Sequence, residues 1–191
     1  MKKSIIIALL FASSSFCIFG QVSIHPSIGA QFPIGTLVTD HNLGNDYGAN
    51  ISLKFAIDKN FDIGLTTGFN QFSTDNIHKH YSMIPITGLL EKRFGFSAFA
   101  PAIALDFGFY NFSYFEKKIS DKVVLDVSKT ITNVGFAPSA GFYFKIDQSA
   151  ALTAMFKYHF MFDPTNPYTF YGINIGLNYK FNQKKAKYNR F

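Results

Sequence analysis

Residues 99 to 109, FAPAIALDFGF, place Phe99, Pro101, Ile103, Leu105, Phe107 and Phe109 on one side of an extended chain and Ala100, Ala102, Ala104, Asp106 and Gly108 on the other. Period two is the repeat of a β-strand, whose successive side chains point to opposite faces. The informative part is the contrast in volume. One face is all bulk; the other is too small to make a core and too uncharged to make an ordinary wet surface.

The same contrast recurs along the chain. Ile24, Pro26, Ile28, Ala30 and Phe32 oppose Ser23, His25, Ser27, Gly29 and Gln31, and the odd positions from Tyr47 to Ile57 oppose Gly48, Asn50, Ser52, Lys54 and Ala56. Phe61, Ile63, Leu65 and Phe69 oppose Asp62, Gly64, Thr66, Gly68 and Asn70. A segment from about residue 80 to 92 alternates least clearly, with Ile84, Ile86 and Leu90 as its apolar face. Beyond residues 99–109, the even positions from Val134 to Phe144 and from Leu152 to Phe162 carry bulk, as do the odd positions from Tyr171 to Phe181. Short turns fall near residues 58–60, 93–95 and 146–148, and longer loops at 35–46, 71–80, about 112–131 and 163–168. Short and long connections alternate, as in a meander with two unlike ends.

A soluble eight-stranded barrel would alternate too, so periodicity alone does not choose between solvents. Volume does. The interior of a closed eight-stranded barrel is just wide enough for side chains to fill, and the Phe, Ile, Leu and Tyr of every strand would overpack it. With the bulk facing lipid and the small residues filling the lumen, the difficulty disappears. Hydrocarbon requires every backbone polar group to be paired internally, which a closed barrel achieves, and tilted strands of roughly 9–11 residues suffice to cross. The expected fold is therefore all-β, a closed eight-stranded antiparallel up-and-down transmembrane β-barrel over residues 21–181.

Composition agrees. Charged residues make up 16% of the chain, against about 25% in soluble globular proteins. The chain has 24 Phe and 10 Tyr but no Trp. The first 20 residues, MKKSIIIALLFASSSFCIFG, combine a lysine pair, a short apolar stretch and small residues, the pattern of a secretory signal peptide. The single cysteine, Cys17, lies inside that leader and follows Ser14, Ser15 and Phe16, a poor lipoprotein context, so no disulfide and no cysteine chemistry is expected. Residues 182–191 form a basic tail with Lys184, Lys185, Lys187 and Arg190, either solvated or in contact with lipid phosphates. Export to the outer membrane leaves outer-membrane lipid as a partner and excludes nucleic acid.

The last segment, NIGLNYKF, carries a family resemblance. Asn174, Gly176, Tyr179 and Phe181 are similar to the polar, small and apolar positions that close outer-membrane barrels and are read by their assembly machinery. The chain from about residue 22 to 181 resembles the small eight-stranded outer-membrane proteins of the OmpX and OmpA barrel type, and the outer membrane protein beta-barrel domain family with its PorT-like members. The resemblance implies a non-enzymatic barrel without cofactor. The expected function is a structural or adhesion-type role carried by the extracellular loops, which would bind another protein at the cell surface; the PorT-like members imply a place in secretion machinery instead, with a narrow channel or a lipid-modifying enzyme as lesser alternatives. Ten residues follow Phe181, whereas strands usually end the simplest members.

Four constellations bear on chemistry. His25 and Ser27 share a face, but they point to the lumen and bracket Pro26, so a lumen-filling pair outweighs a nucleophile and base. His78 and His80, with His41 and Asp75 in neighbouring loops, lack a fixed fourth ligand and do not define a metal site. Lys54, Asp62, Asp106, Lys157 and Lys180 all fall on the lumen face and should pair with one another, because unpaired buried charge is costly; they read as a polar plug rather than a path for ions. Val123, Leu125 and Val127 continue the alternation toward Ile131, with Ser120, Asp121 and Lys122 as the tip of a projecting hairpin. Finally, Pro26, Pro85, Pro101 and Pro138 sit within strands of a fold that has no edges. β-Bulges are expected there, with Pro85 and Pro101 nearly opposite each other.

Overall fold

The computed structural model describes residues 21–74, 79–95, 98–120, 123–164 and 166–181. The expected leader, the expected tail and the hairpin residues Asp121 and Lys122 lie outside them. The elements are β1 (Val22–Gly35), α1 (Thr36–Thr39), β2 (Leu43–Gly44), β3 (Asp46–Asp58), β4 (Phe61–Thr74), β5 (Lys79–Arg93), β6 (Phe99–Ser120), β7 (Val123–Lys145), β8 (Ala150–Met161) and β9 (Tyr168–Phe181).

Every long strand pairs antiparallel with its sequence neighbour, and β1 pairs with both β3 and β9, with Val22 opposite Phe181. Pairing of β4 with β5 completes the ring, so the eight long strands close without an edge. The two-residue β2 adds to the far end of β4, Leu43 opposite Thr74 and Gly44 opposite Ser73.

Outward positions form an apolar band around the whole barrel. Ile28 is 68% exposed, Leu65 63%, Phe107 59% and Ile175 56%. A continuous apolar surface of this extent is unstable in water and stable in lipid. Inward positions are small or polar over most of the lumen and large and apolar toward one end, and the alternation read from the sequence holds on all eight strands, including the ambiguous β5, where Ile84, Ile86 and Leu90 face outward.

The prolines correct two expectations. Pro26 pairs with Ile51, Pro85 with Tyr110, Pro101 with Phe142 and Pro138 with Leu105, all in unbroken register. The one register shift lies between Ala56 and Asp58, at the β3–β4 turn. Pro85 and Pro101 are not opposite, because β5 meets β6 with Arg93 against Ala102. The chain handles the missing N–H differently. Pairing skips His25 and Pro26 on the β9 side, Gly68 to Phe69 opposite Pro85 on the β4 side, and Ala137 to Pro138 on the β8 side, then resumes in the same register. At these three positions proline thus forfeits a local bridge on one flank and keeps its ladder on the other, which costs less than a bulge that would reverse every following side chain.

Short connections, residues 59–60, 94–98 and 146–149, lie at the end that also carries Val22 and Phe181. The opposite end is longer and uneven. β6 and β7 run 22 and 23 residues and stay paired as far as Ser120 opposite Val123.

Candidate functional site: a layered lumen and its two ends

Inward alternation brings side chains from every strand into one column, and the column is stratified. Near the short-turn end lies an ionic layer. Lys54 Nζ is 2.7 Å from Glu91 Oε2 and donates to Tyr143 Oη at 2.6 Å, while Tyr143 donates to Glu91 Oε1 at 2.6 Å. Lys54 and Glu91 are 1% and 3% exposed, so the charges are satisfied by each other rather than by solvent. Arg93 Nη2 donates to Asp62 Oδ1 at 2.9 Å, and both the Arg93 guanidinium and the Lys54 ammonium face the Tyr143 ring. Removing one member of such a layer leaves the others buried without a partner.

Above it, His25, Ser52, Thr66, Thr87, Asp106, Thr153 and Lys157 form a polar middle. His25 Nε2 lies 2.7 Å from Thr153 Oγ1, Ser52 bonds Thr66 at 2.9 Å, and Thr87 donates to Asp106 Oδ1 at 3.1 Å. Lys157 Nζ is 2.8 Å from Asp106 Oδ2. A cavity of about 30 Å³ lies among them, lined by His25, Ser27 and Lys54 among others.

The long-loop end is closed by an apolar stopper. Leu37 of α1 and Leu43 of β2 are fully covered, packed with Phe72, Met83, Tyr110, Phe112, Met161 and Phe170. The first long loop therefore folds across the barrel mouth. Thr36 Oγ1 anchors it by donating to Pro167 O at 2.8 Å. His41 joins the stopper, its ring 5.7 Å from Tyr168 and 5.9 Å from Tyr81.

Of the expected lumen charges, Lys157 and Asp106 meet each other, whereas Lys54 and Asp62 pair outside the set, with Glu91 and Arg93. Lys180 stands at the short-turn mouth and makes no ion pair among the described residues. Glu91 and Arg93 went unread because β5 looked irregular; extending the parity of Ile84, Ile86 and Leu90 outward puts both inward. Asn174 and Gly176 face the lumen, Asn174 Oδ1 accepting from Gln31 Nε2 at 3.3 Å, while Tyr179 and Phe181 face out. His25 is engaged with Thr153 rather than Ser27, and His41 is packed among aromatics, apart from any ligand set. His80 is exposed; His78 and Asp75 lie outside the described residues. Among the described residues, no three His, Cys, Asp or Glu side chains gather as metal ligands.

A closed eight-stranded up-and-down barrel, apolar outside and filled with polar side chains, has the fold of a small outer-membrane β-barrel protein. Solved structures agree: Neisserial surface protein A superposes with a TM-score of 0.63 at 13% identity, covering 85% of this chain and 97% of that one. A major outer membrane protein from Thermus thermophilus gives 0.60 at 10% identity over 84% of this chain and 99% of the other. The outer membrane protein OprG from Pseudomonas aeruginosa gives 0.56 at 15%, over 86% and 97%. No protein-family model and no curated protein sequence matches the chain.

Proposed function

We propose that this protein is an integral outer-membrane barrel without catalytic activity, and that it acts as a surface-interaction protein of adhesion type through its long-loop end. One observation carries the reading: the β6–β7 hairpin projects beyond the barrel. Pairing of β7 with β8 stops at Gly135 opposite Met161, while β6 and β7 continue to Ser120 opposite Val123. At 23 residues, β7 has about twice the 9–11 needed to cross a bilayer. Among the described residues, positions 123–133 of β7 have no strand on their outer side. An open edge of that length supplies unpaired backbone donors and acceptors to which another chain adds a strand.

The filled lumen supports the same reading, since the ionic layer and the stopper both occupy it. The PorT-like alternative rests on the sequence resemblance alone. The test is to replace residues 113–130 by an Asn-Gly turn and measure adherence of cells that display each form. Adherence should fall to the level of cells lacking the protein, with the heat-dependent gel mobility of a folded barrel retained. Equal adherence by the trimmed barrel overturns the role of the hairpin. Protease added to intact cells should cleave within the hairpin first.

A further inference from the structure

The short-turn end of the lumen opens into a cavity of about 430 Å³, within the range of small-molecule sites, roughly 300–1,000 Å³. Its lining includes four cations, Lys59, Arg93, Lys145 and Lys180, and one carboxylate, Asp147. That carboxylate is already engaged: its Oδ1 accepts from the backbone N–H groups of Ser149 at 2.6 Å and Ala150 at 2.7 Å. Arg93 gives one nitrogen to Asp62, but its buried Nε–H has no partner among the described residues. Positive charge in a recess with low-dielectric walls focuses the field and concentrates anions.

The cations sit on a fixed frame. Arg93 N–H donates to Asn60 O, Lys180 N–H to Ser149 O and Lys145 N–H to Ala98 O, each at 2.8 Å. Ala100 and Tyr143 pack together with Ala151 as an apolar floor. The backbone under Arg93, Lys145 and Lys180 is fixed, so a ligand has only side chains to order on entry.

We infer that this vestibule binds a soluble multivalent oxyanion, bearing phosphate or carboxylate groups, from the compartment that the short turns face. More than one charged group is required because a single one would reach only part of the cationic ring. Arg93, held by Asp62 at one edge of its guanidinium, presents a planar group to the cavity, while the lysines act as point charges. The inference rests on the barrel but not on the hairpin's role, and its test uses neither hairpin nor adherence.

The experiment is calorimetric titration of the purified full chain in detergent with pyrophosphate, orthophosphate and citrate at fixed ionic strength. Pyrophosphate or citrate should bind saturably at one site per chain, and orthophosphate about tenfold more weakly. Lys180→Gln should weaken binding by about tenfold, and Lys145→Gln should weaken it further. Lys129→Gln, on the exposed hairpin at the far end, should change nothing. All variants are to be checked for the folded gel mobility. No saturable binding at millimolar probe overturns the inference, as does equal weakening by Lys129→Gln. In phosphatidylcholine vesicles and in vesicles containing phosphatidylglycerol, at a salt concentration high enough to screen the vesicle surface potential, pyrophosphate affinity should be the same. A tenfold loss with the anionic lipid means that headgroup phosphates hold the cations, and overturns the soluble ligand.

Discussion

The most demanding consequence of the layered lumen concerns Glu91. Its two oxygens accept from Lys54 at 2.7 Å and from Tyr143 at 2.6 Å, and none of the three side chains is more than 4% exposed. Glu91→Gln keeps the shape and deletes the charge, leaving the Lys54 ammonium buried beside a neutral amide. Breaking a buried pair from one side costs about 3–5 kcal/mol. With a urea slope of about 1–3 kcal/mol per molar, the unfolding midpoint should fall by about 1 M or more. Removing the whole cluster is a different perturbation. Lys54→Met with Glu91→Leu would strand the Tyr143 hydroxyl, so Tyr143→Phe must accompany them. The triple variant leaves no unpaired group from the cluster and should come within about 1 kcal/mol of the parent or exceed it by about 1–4 kcal/mol. The assay is urea unfolding in lipid vesicles by circular dichroism, under conditions where unfolding and refolding curves coincide. If Glu91→Gln and the triple variant both unfold within about 0.5 kcal/mol of the parent, the scale of an ordinary surface substitution, the layer is hydrated and the argument from buried charge fails.

Three further outcomes follow from other parts of the barrel. Phe107→Arg puts a charge in the middle of the lipid-facing band and should destabilise by about 2–4 kcal/mol in vesicle unfolding. Gly176 lies against β1 so closely that an added Cβ would sit 2.7 Å from both His25 Nε2 and Pro26 O. Gly176→Ala should therefore cost about 1–3 kcal/mol in the same assay, and His25→Ala in that background should recover only part of it, because the backbone contact remains. Leu37→Ser with Leu43→Ser should unseat the first long loop, seen as faster proteolysis within residues 36–45. Planar-bilayer conductance should stay at baseline, since the Lys54, Glu91 and Tyr143 layer still blocks the lumen.

What was legible in the sequence follows from how a barrel wall works. Each strand meets the same two environments, so the alternation seen in FAPAIALDFGF gives facing, its eight recurrences give the strand count, and the volume contrast between the two faces gives a closed barrel with its bulk outward. The lumen is harder, because its contacts join residues distant in sequence and only facing is written locally. Lys54 and Asp62 were readable as inward charges, but their partners Glu91 and Arg93 lie on β5, where Leu89 among the inward residues and Gly88 among the outward ones blur the pattern. The stopper was hidden for another reason. Leu37 and Leu43 sit in a loop with no period, and their burial depends on the loop turning back over the mouth rather than outward.

The prolines show where general rules mislead in a closed sheet. The rule that proline avoids interior strands counts the N–H it lacks, and from that count a bulge seemed required. In a barrel, a bulge shifts the register of everything beyond it, and with it the facing of every later side chain on the strand. One lost bridge is a local cost. A shifted register would bring Phe107 and Phe109 into a lumen already filled and turn Asp106 toward lipid. The chain keeps its register at Pro85, Pro101 and Pro138 because the large difference in solvent between its two faces outweighs a missing hydrogen bond. The same difference makes the alternation readable at all, which is why the wall could be inferred from sequence while its local defects could not.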